Sequence, residues 1–132
     1  MGSRVGFALW VGVIIAVVVP WTSFQNHAHW ERVDWIPFTA PSDVIDAGEN
    51  VLFYMPYGYL LGRNRAQSRR VIGLAFGSAS MLAVCTELTQ VFSATRFPST
   101  TDIISNATGA LIGAWWAVNA GRNERYEGEV AK

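Results

Sequence analysis

Charged side chains are scarce in this chain of 132 residues: Asp, Glu, Lys and Arg make up 15% of it, against about 25% in an ordinary soluble domain. The formal net charge is zero, so the composition predicts no nucleic-acid partner. A single cysteine, Cys85, excludes an intrachain disulfide. Because it lies in an apolar run, we expect an inert thiol in the core. The length is that of one domain.

Motifs for cofactors and covalent catalysis are also lacking. The sequence contains no glycine-rich phosphate loop, no G-x-S-x-G and no dinucleotide fingerprint. Its two histidines, His27 and His29, have no cysteine nearby, and two ligands at that spacing favour ordinary loop histidines over a metal site. We therefore predict no cofactor and no metal, and these absences weigh against an enzyme.

Apolar stretches are what the sequence has in abundance, since 51% of its residues are hydrophobic. A membrane-spanning helix needs about 20 mostly apolar residues. Four segments approach that length, at about 5–21, 43–62, 71–92 and 102–120. The second spans only if it begins near Ser42 or Asp43, which are good N-cap residues. The sequence predicts an all-α fold, an integral membrane four-helix bundle over 1–121 followed by a cytoplasmic tail at 122–132. A soluble bundle with buried helices is the alternative.

Arginines are concentrated between the second and third segments. The stretch RNRAQSRR at 63–70 carries four of the ten basic residues, whereas 22–41 and 93–101 carry one each. Cytoplasmic loops hold the Lys and Arg excess of membrane proteins. We therefore expect the 63–70 loop and both termini on the cytoplasmic side of a multi-pass protein.

Polar side chains interrupt the apolar pattern near the expected outer surface. The second, third and fourth segments each carry a polar pair three or four residues apart, and an arginine lies in the loop between the last two. Residues at that spacing share a helix face, so we expect the three faces to converge on one polar site. The predicted ligand-binding residues are Asn50, Tyr54, Glu87, Gln90, Arg96, Asp102 and Asn106.

Small residues indicate which helix faces should pack together. On the third segment one stripe consists of Gly73, Gly77, Ser80, Val84 and Glu87. On the fourth, Gly109 and Gly113 form a G-x-x-x-G. Small residues let membrane helices approach closely, so we expect these polar faces to meet neighbouring helices. A buried carboxylate must be protonated, hydrated or paired, and Arg96 is the nearest partner of Glu87 in sequence. A polar network that only holds the fold is the alternative.

At these residues the sequence resembles the VanZ-like family of small bacterial membrane proteins. The matching pieces are W-I-P-F at 35–38, N-V-L-F-Y-M-P-Y-G at 50–58, E-L-T-Q at 87–90, Arg96 with Phe97, and D-I-I-S-N-A-T-G at 102–109, with Gly113 beyond. The resemblance implies a four-helix membrane domain, and its founding member is linked to teicoplanin resistance. It supplies no mechanism and does not by itself make this chain a resistance factor. Tyr54 departs from the family, which often has Phe there.

The polar site supports hypotheses of different classes. The first is a module that binds or modifies a cell-envelope lipid or a lipid-linked wall intermediate, with Arg96 pairing to phosphate or carboxylate. The second is a membrane-embedded hydrolase or transferase that uses Glu87 and Asp102 as candidate catalytic acid and base. The third is a small transporter subunit, which would require a homo-oligomer because four helices leave little room for a pathway.

Overall fold

The computed structural model describes residues 2–64 and 69–130, so residues 65–68 of the arginine-rich loop lie outside the described part. The described residues form four α-helices and no β-strand, which confirms the all-α prediction. The elements are α1 (Gly2–Val18), a 3-10 turn (Trp30–Arg32), α2 (Pro41–Asn64), α3 (Arg70–Gln90) and α4 (Thr100–Val130).

Local sequence determines where α1 ends and α2 begins. The end of α1 comes two residues before Pro20, which has no backbone N–H to continue a helix. α2 begins at Pro41, a residue suited to the first helical position. The Asp43 carboxylate accepts the Ala40 backbone N–H at 2.9 Å, as the third helical residue does in a capping box. The helix thus begins slightly before the predicted start at Ser42 or Asp43.

The most extensive helix contact joins α2 and α4, and glycines make it close. A Cβ placed on Gly58 would lie 1.8 Å from the carbonyl oxygen of Ala110, and one on Gly113 would lie 2.0 Å from a carbonyl oxygen of α2. These distances leave no room for a side chain, so the two backbones are in direct contact. The predicted packing role of Gly109 and Gly113 is confirmed, and Gly58 with Gly62 is the matching pair on α2.

α3 packs through alanines and not through its glycine stripe. The fully buried alanines of this helix are Ala75, Ala79 and Ala83. Gly73 and Gly77 are exposed, and a Cβ added to either would meet nothing within 4 Å. The prediction that the glycine stripe faces neighbouring helices is therefore wrong. The three alanines are spaced four residues apart and form a second face of small side chains on another side of the helix. Glu87 lies on this face as well, four residues after Ala83.

The outward faces of the helices are apolar. Large hydrophobic side chains are exposed on α1, α3 and α4, such as Leu9 at 67%, Met81 at 72% and Trp115 at 57%. Cys85 is exposed too, one turn after Met81, so the prediction of a core thiol is wrong. Among the described helices, α3 is the one long and apolar enough to cross a membrane, and α1 is a shorter apolar helix.

The segment between α1 and α2 packs against the loop between α3 and α4. Asp34 donates its backbone N–H to the Pro98 carbonyl at 2.9 Å and accepts the Thr100 N–H at 3.0 Å. The hydroxyls of Ser23 and Ser93 are hydrogen-bonded to each other at 2.9 Å. These contacts fix the α3–α4 loop over the end of the bundle where the polar residues lie.

Candidate functional site

A cavity of about 510 Å³ opens at the end of the bundle where α1 and α3 end and α2 and α4 begin. Six of the seven predicted ligand-binding residues line it, although they come from three helices and a loop. They are Asn50, Glu87, Gln90, Arg96, Asp102 and Asn106. The structure therefore brings together groups that are as far as 56 positions apart in the chain, from residue 50 to residue 106.

Tyr54 is the predicted residue that does not line this cavity. Its side chain is fully buried, with its ring centroid 6.1 Å from those of both Phe53 and Tyr57. It follows Asn50 by one helical turn, which carries it past the cavity and into the packed interior. In this structure Tyr54 is part of the aromatic core beneath the site.

The first turn of α4 shapes one wall of the cavity. Ser99 is the N-cap residue, because its Oγ accepts the Thr101 backbone N–H at 3.1 Å. In a capping box the third helical residue would accept the N–H of the cap. That N–H is instead donated to Oε2 of Glu87 on α3, at 2.9 Å. The third helical residue, Asp102, does not cap its own helix, so its carboxylate can accept a hydrogen bond from Asn50 of α2.

The side-chain amides in this wall donate to carboxylates of the protein. Nδ2 of Asn50 donates to Oδ1 of Asp102 at 2.8 Å, and Nε2 of Gln90 donates to Oε1 of Glu87 at 3.3 Å. Asn106 is 2% exposed, and its Oδ1 has no hydrogen-bond partner among the described residues. The amides of Asn50 and Gln90 each keep a second N–H, so this wall offers donors as well as acceptor oxygens.

Arg96 supplies a positive charge at the exposed edge of the cavity. Its backbone N–H donates to Oγ of Ser93 at 3.0 Å, which fixes the position of the residue in the loop. Its side chain is exposed and forms no ion pair with any described carboxylate. The two oxygens of Glu87, its nearest partner in sequence, accept from Gln90 and Ser99 instead. The guanidinium is therefore available to an anion entering from outside.

Sequence reasoning missed the other half of the cavity lining. These residues are Val17, Val18, Glu49, Phe53, Thr95 and Phe97. Helical spacing could have found two of them, because Phe53 follows Asn50 by three residues and Glu49 precedes Phe53 by four. The valines could not be found in this way, since the apolar pattern of α1 does not show which helices its end approaches.

Glu87 borders a second cavity of about 150 Å³, which is almost entirely apolar. Trp30 and Trp35 of the α1–α2 segment line it together with Leu88 and Ile103. The Glu87 side chain, 5% exposed, thus lies between a polar cavity and an apolar one. One side of the carboxyl group therefore borders polar groups, and the other side borders aromatic and aliphatic side chains.

The two histidines lie in the α1–α2 segment and outside the lining of the polar cavity. The ring centroids of His27 and His29 are 4.3 Å apart, and Nδ1 of His29 is 2.9 Å from a carboxylate oxygen of Glu31. Among the side chains that the structure describes, no three His, Cys, Asp or Glu residues lie close enough together to hold a metal ion. The charged and amide groups that line the polar cavity are three carboxylates, three amides and one guanidinium.

Comparison with known proteins assigns the family. The family model described as VanZ/LLP1 matches residues 5–120, a range that contains every residue of the polar cavity. Neither the curated proteins nor the solved structures gave a match. The matched range covers most of the 132 residues and agrees with the resemblance carried by the polar residues. This chain belongs to the VanZ/LLP1 family.

Proposed function

We propose that this protein crosses the bacterial cytoplasmic membrane several times and binds the polar head of a cell-envelope lipid or lipid-linked wall intermediate. The observation that carries the proposal is the 510 Å³ cavity at one end of an apolar-surfaced bundle. The close approach of α2 and α4 is made by glycines, and among the polar groups of the cavity Asn50 and Asp102 add one hydrogen bond between these helices. A pocket with convergent polar groups is the usual form of a ligand site.

The exposed apolar surface supports insertion into a membrane. On α1 the exposed side chains include Val5, Leu9 and Val13, and on α3 they include Leu74, Phe76 and Met81. In water, apolar patches of this extent are rare on a monomer and promote association. In a bilayer the same side chains face lipid at no such cost. The 21 residues of α3 also suffice to cross the hydrocarbon core.

The distribution of arginines supports an outward-facing cavity. Arg63, Arg69 and Arg70 lie at the end of α2 and the start of α3, which is the end of the bundle opposite the cavity. Positive residues near the ends of spans favour the cytoplasm. The proposal therefore places the cavity at the outer face and both termini inside.

Cysteine labelling tests this topology. In a Cys85→Ala background, Asn26→Cys should react with a membrane-impermeant maleimide in intact cells. Ser68→Cys should react only after the cells are permeabilised. The reverse pattern would turn the cavity toward the cytoplasm and contradict the envelope assignment.

Headgroup binding is tested by identifying the lipids that copurify with the protein. Wild type is compared by mass spectrometry with Arg96→Ala, which removes the cation at the cavity edge. Arg122→Ala is the matched control, because Arg122 is an exposed arginine that donates to Asn119 on α4 and lies outside the cavity lining. We expect loss of phospholipid or lipid-linked precursor with Arg96→Ala alone. Identical lipid profiles in all three proteins would contradict Arg96 as a headgroup ligand.

Family membership extends the proposal to glycopeptide susceptibility. The expected result is that deleting the gene changes the minimal inhibitory concentration of teicoplanin. Wild type should restore the original value and Arg96→Ala should not, at equal membrane abundance. Unchanged susceptibility after deletion would contradict this part of the proposal. It would not affect headgroup binding, which the lipid analysis tests separately.

A hydrolase or transferase is a second candidate, because Glu87 and Asp102 line one cavity. Acid–base catalysis requires two such groups within reach of one substrate. The test is turnover of labelled lipid-linked precursors by the purified protein. Turnover that Glu87→Gln abolishes would establish catalysis, whereas bound but unaltered precursor would establish binding alone.

A further inference from the structure

An apolar groove between α1 and α2 adjoins the polar cavity. Its volume is about 370 Å³. Glu49 and Phe53 line both the groove and the cavity, so the two meet along one turn of α2. The other residues of the groove are Trp10, Leu52 and Pro56, which present apolar surface. Hydrocarbon-compatible surface therefore begins where the polar lining of the cavity ends.

The groove continues along α2 for about the depth of one membrane leaflet. A further apolar depression of about 310 Å³ shares Leu52 and Pro56 with it and extends to Tyr59. From Glu49 to Tyr59 the helix rises about 15 Å, which is half of a hydrocarbon core of about 30 Å. A lipid chain of one leaflet has this depth, whereas a partner helix crosses both leaflets. The dimensions of the groove therefore favour a lipid chain.

Proline and tryptophan determine the shape of the groove. Pro56 has no N–H to donate to the Leu52 carbonyl, and its short ring leaves a depression in a row of larger side chains. The indole N–H of Trp10 donates to the Phe53 carbonyl oxygen at 3.1 Å, and the two rings are 5.7 Å apart. These contacts hold one wall of the groove in place without a ligand, as is usual for small-molecule sites.

The polar cavity has most of its apolar lining on the side of the groove. Val17, Val18 and Phe53 of α1 and α2 are three of the four apolar residues that line it. The small apolar cavity beyond Glu87 is a less suitable exit for a chain, because the Glu87 carboxylate lies between the two cavities and accepts the Ser99 N–H at 2.9 Å. A chain attached to a head in the polar cavity would therefore leave it toward the groove.

We infer that one hydrocarbon chain of the bound lipid lies in this groove, with the phosphate of the same molecule beside Arg96. The inference rests on the proposed headgroup binding and adds the site for the chain, so the ligand enters sideways from the outer leaflet. Bulk lipid would touch the groove whatever the cavity holds, whereas the chain of a ligand occupies it only when its head is bound. Dependence of chain contact on Arg96 is the property that distinguishes the two.

Photolabelling measures that contact. Full-length protein in dodecyl maltoside, a detergent without phosphate, is mixed with phosphatidylglycerol that carries a diazirine halfway along one acyl chain. After illumination the labelled peptides are quantified by mass spectrometry. We expect residues 52–56 to be labelled more than the exposed α3 residues Leu74 and Met81. In Arg96→Ala that excess should fall roughly tenfold, the effect of one charge-assisted hydrogen bond, and Arg122→Ala should keep it.

A variant and a competitor locate the chain. Leu52 is 68% exposed, so Leu52→Trp should fold normally, fill the groove and reduce the amount of bound probe in native mass spectrometry. Met81→Trp is the matched control, because it adds the same ring to an exposed apolar position of α3. Dodecyl phosphate should displace the probe, since it joins a phosphate to the chain that the detergent already has. Equal binding of the probe by both Trp variants would contradict the chain site.

The inference and the proposed function fail in different ways. Groove labelling that equals that of α3, or that Arg96→Ala does not change, would overturn the chain site. Headgroup binding would survive this result if Arg96→Ala still lost its copurified lipid. If Arg96→Ala changed neither the labelling nor the copurified lipids, both would be overturned.

Discussion

The contact between α2 and α4 has two halves that differ in construction. The glycine half contains Gly58 and Gly113, and the cavity half contains Asn50 and Asp102. In one half, Gly58 and Gly113 bring the backbones into contact, and no polar side chain takes part. In the other half, Gly109 still lies against the Val51 carbonyl, and beyond it Asn50 and Asp102 join the helices through a 2.8 Å hydrogen bond beside an open cavity. The closest backbone contacts therefore lie in the glycine half. The cavity half can then carry groups, such as Asn106, that serve a ligand better than they serve the fold.

Filling the glycine contact should have the largest effect on stability. In Gly113→Ala the new methyl group would need the space of an α2 carbonyl oxygen, so α2 and α4 must separate along their length. We expect a loss of about 3 kcal/mol or more, the upper range for overpacking. Thermal unfolding of the detergent-solubilised protein measures it.

Gly77→Ala is the matched control for that substitution. Its Cβ would meet nothing within 4 Å, and alanine is the better helix former. Stability should stay the same or rise slightly. If both variants lost the same stability, the contrast between the packed and exposed glycines would be wrong.

Removing the Glu87 carboxylate should have the next largest effect. Glu87→Ala leaves the Ser99 N–H and the Gln90 amide without their acceptor, at a cost of about 1–3 kcal/mol for an unsatisfied buried donor. Glu87→Gln has the same shape and keeps an acceptor oxygen for the Ser99 N–H, and the Gln90 amide can turn over to accept from the new NH2 group, so this variant should fold with nearly normal stability. We expect it nonetheless to lose cellular complementation, because the charge is absent. A Gln variant with normal stability and full complementation would reduce Glu87 to a replaceable hydrogen-bonding residue.

Loss of the α4 cap should have an intermediate effect. Ser99→Ala removes the oxygen that accepts the Thr101 N–H, and such caps contribute about 1 kcal/mol. Ser99→Asn restores an acceptor and should recover most of the stability. Because Ser99 also donates its backbone N–H to Glu87, the Ala variant should loosen the cavity wall and weaken lipid binding. Normal binding by a destabilised Ser99→Ala protein would show that the cap and the site are independent.

The polar convergence could be predicted because it depends on local spacing. Gln90 follows Glu87 by three residues and Asn106 follows Asp102 by four, so each pair shares a face whatever the rest of the fold does. The ends of four apolar segments then determine which pairs meet. The same spacing does not bring Tyr54 to the cavity, because one further turn of α2 is enough to take a side chain from the cavity into the core.

The packed face of α3 could not be predicted, because two faces of this helix carry similarly small side chains. Gly77 and Ala79 both belong to stripes of small residues that lead toward Glu87, and only contact with other helices distinguishes them. The hydrogen bond from the Ser99 backbone N–H to Glu87 could not be predicted from the sequence either. It depends on how the α3–α4 loop returns to the end of α3, and that path is fixed by contacts with the distant residues Ser23 and Asp34.

The smallest expected effect on stability is also the most direct test of the contrast between the two halves. Asn106 lies in the cavity half with an unpaired buried oxygen, so Asn106→Leu exchanges an unsatisfied group for an apolar one of similar size. Such exchanges are close to neutral or stabilising, and we expect a gain of up to about 1 kcal/mol. Lipid binding should fall at the same time, because Asn106 lines the cavity and its polar group is gone. The matched control is Ala110→Ser, which places a hydroxyl in the fully buried glycine half and should lower stability without a specific effect on the headgroup. If Asn106→Leu instead destabilised the protein and left binding unchanged, Asn106 would stabilise the fold and would have no role in binding. The cavity half would then not carry groups that cost stability for the sake of a ligand.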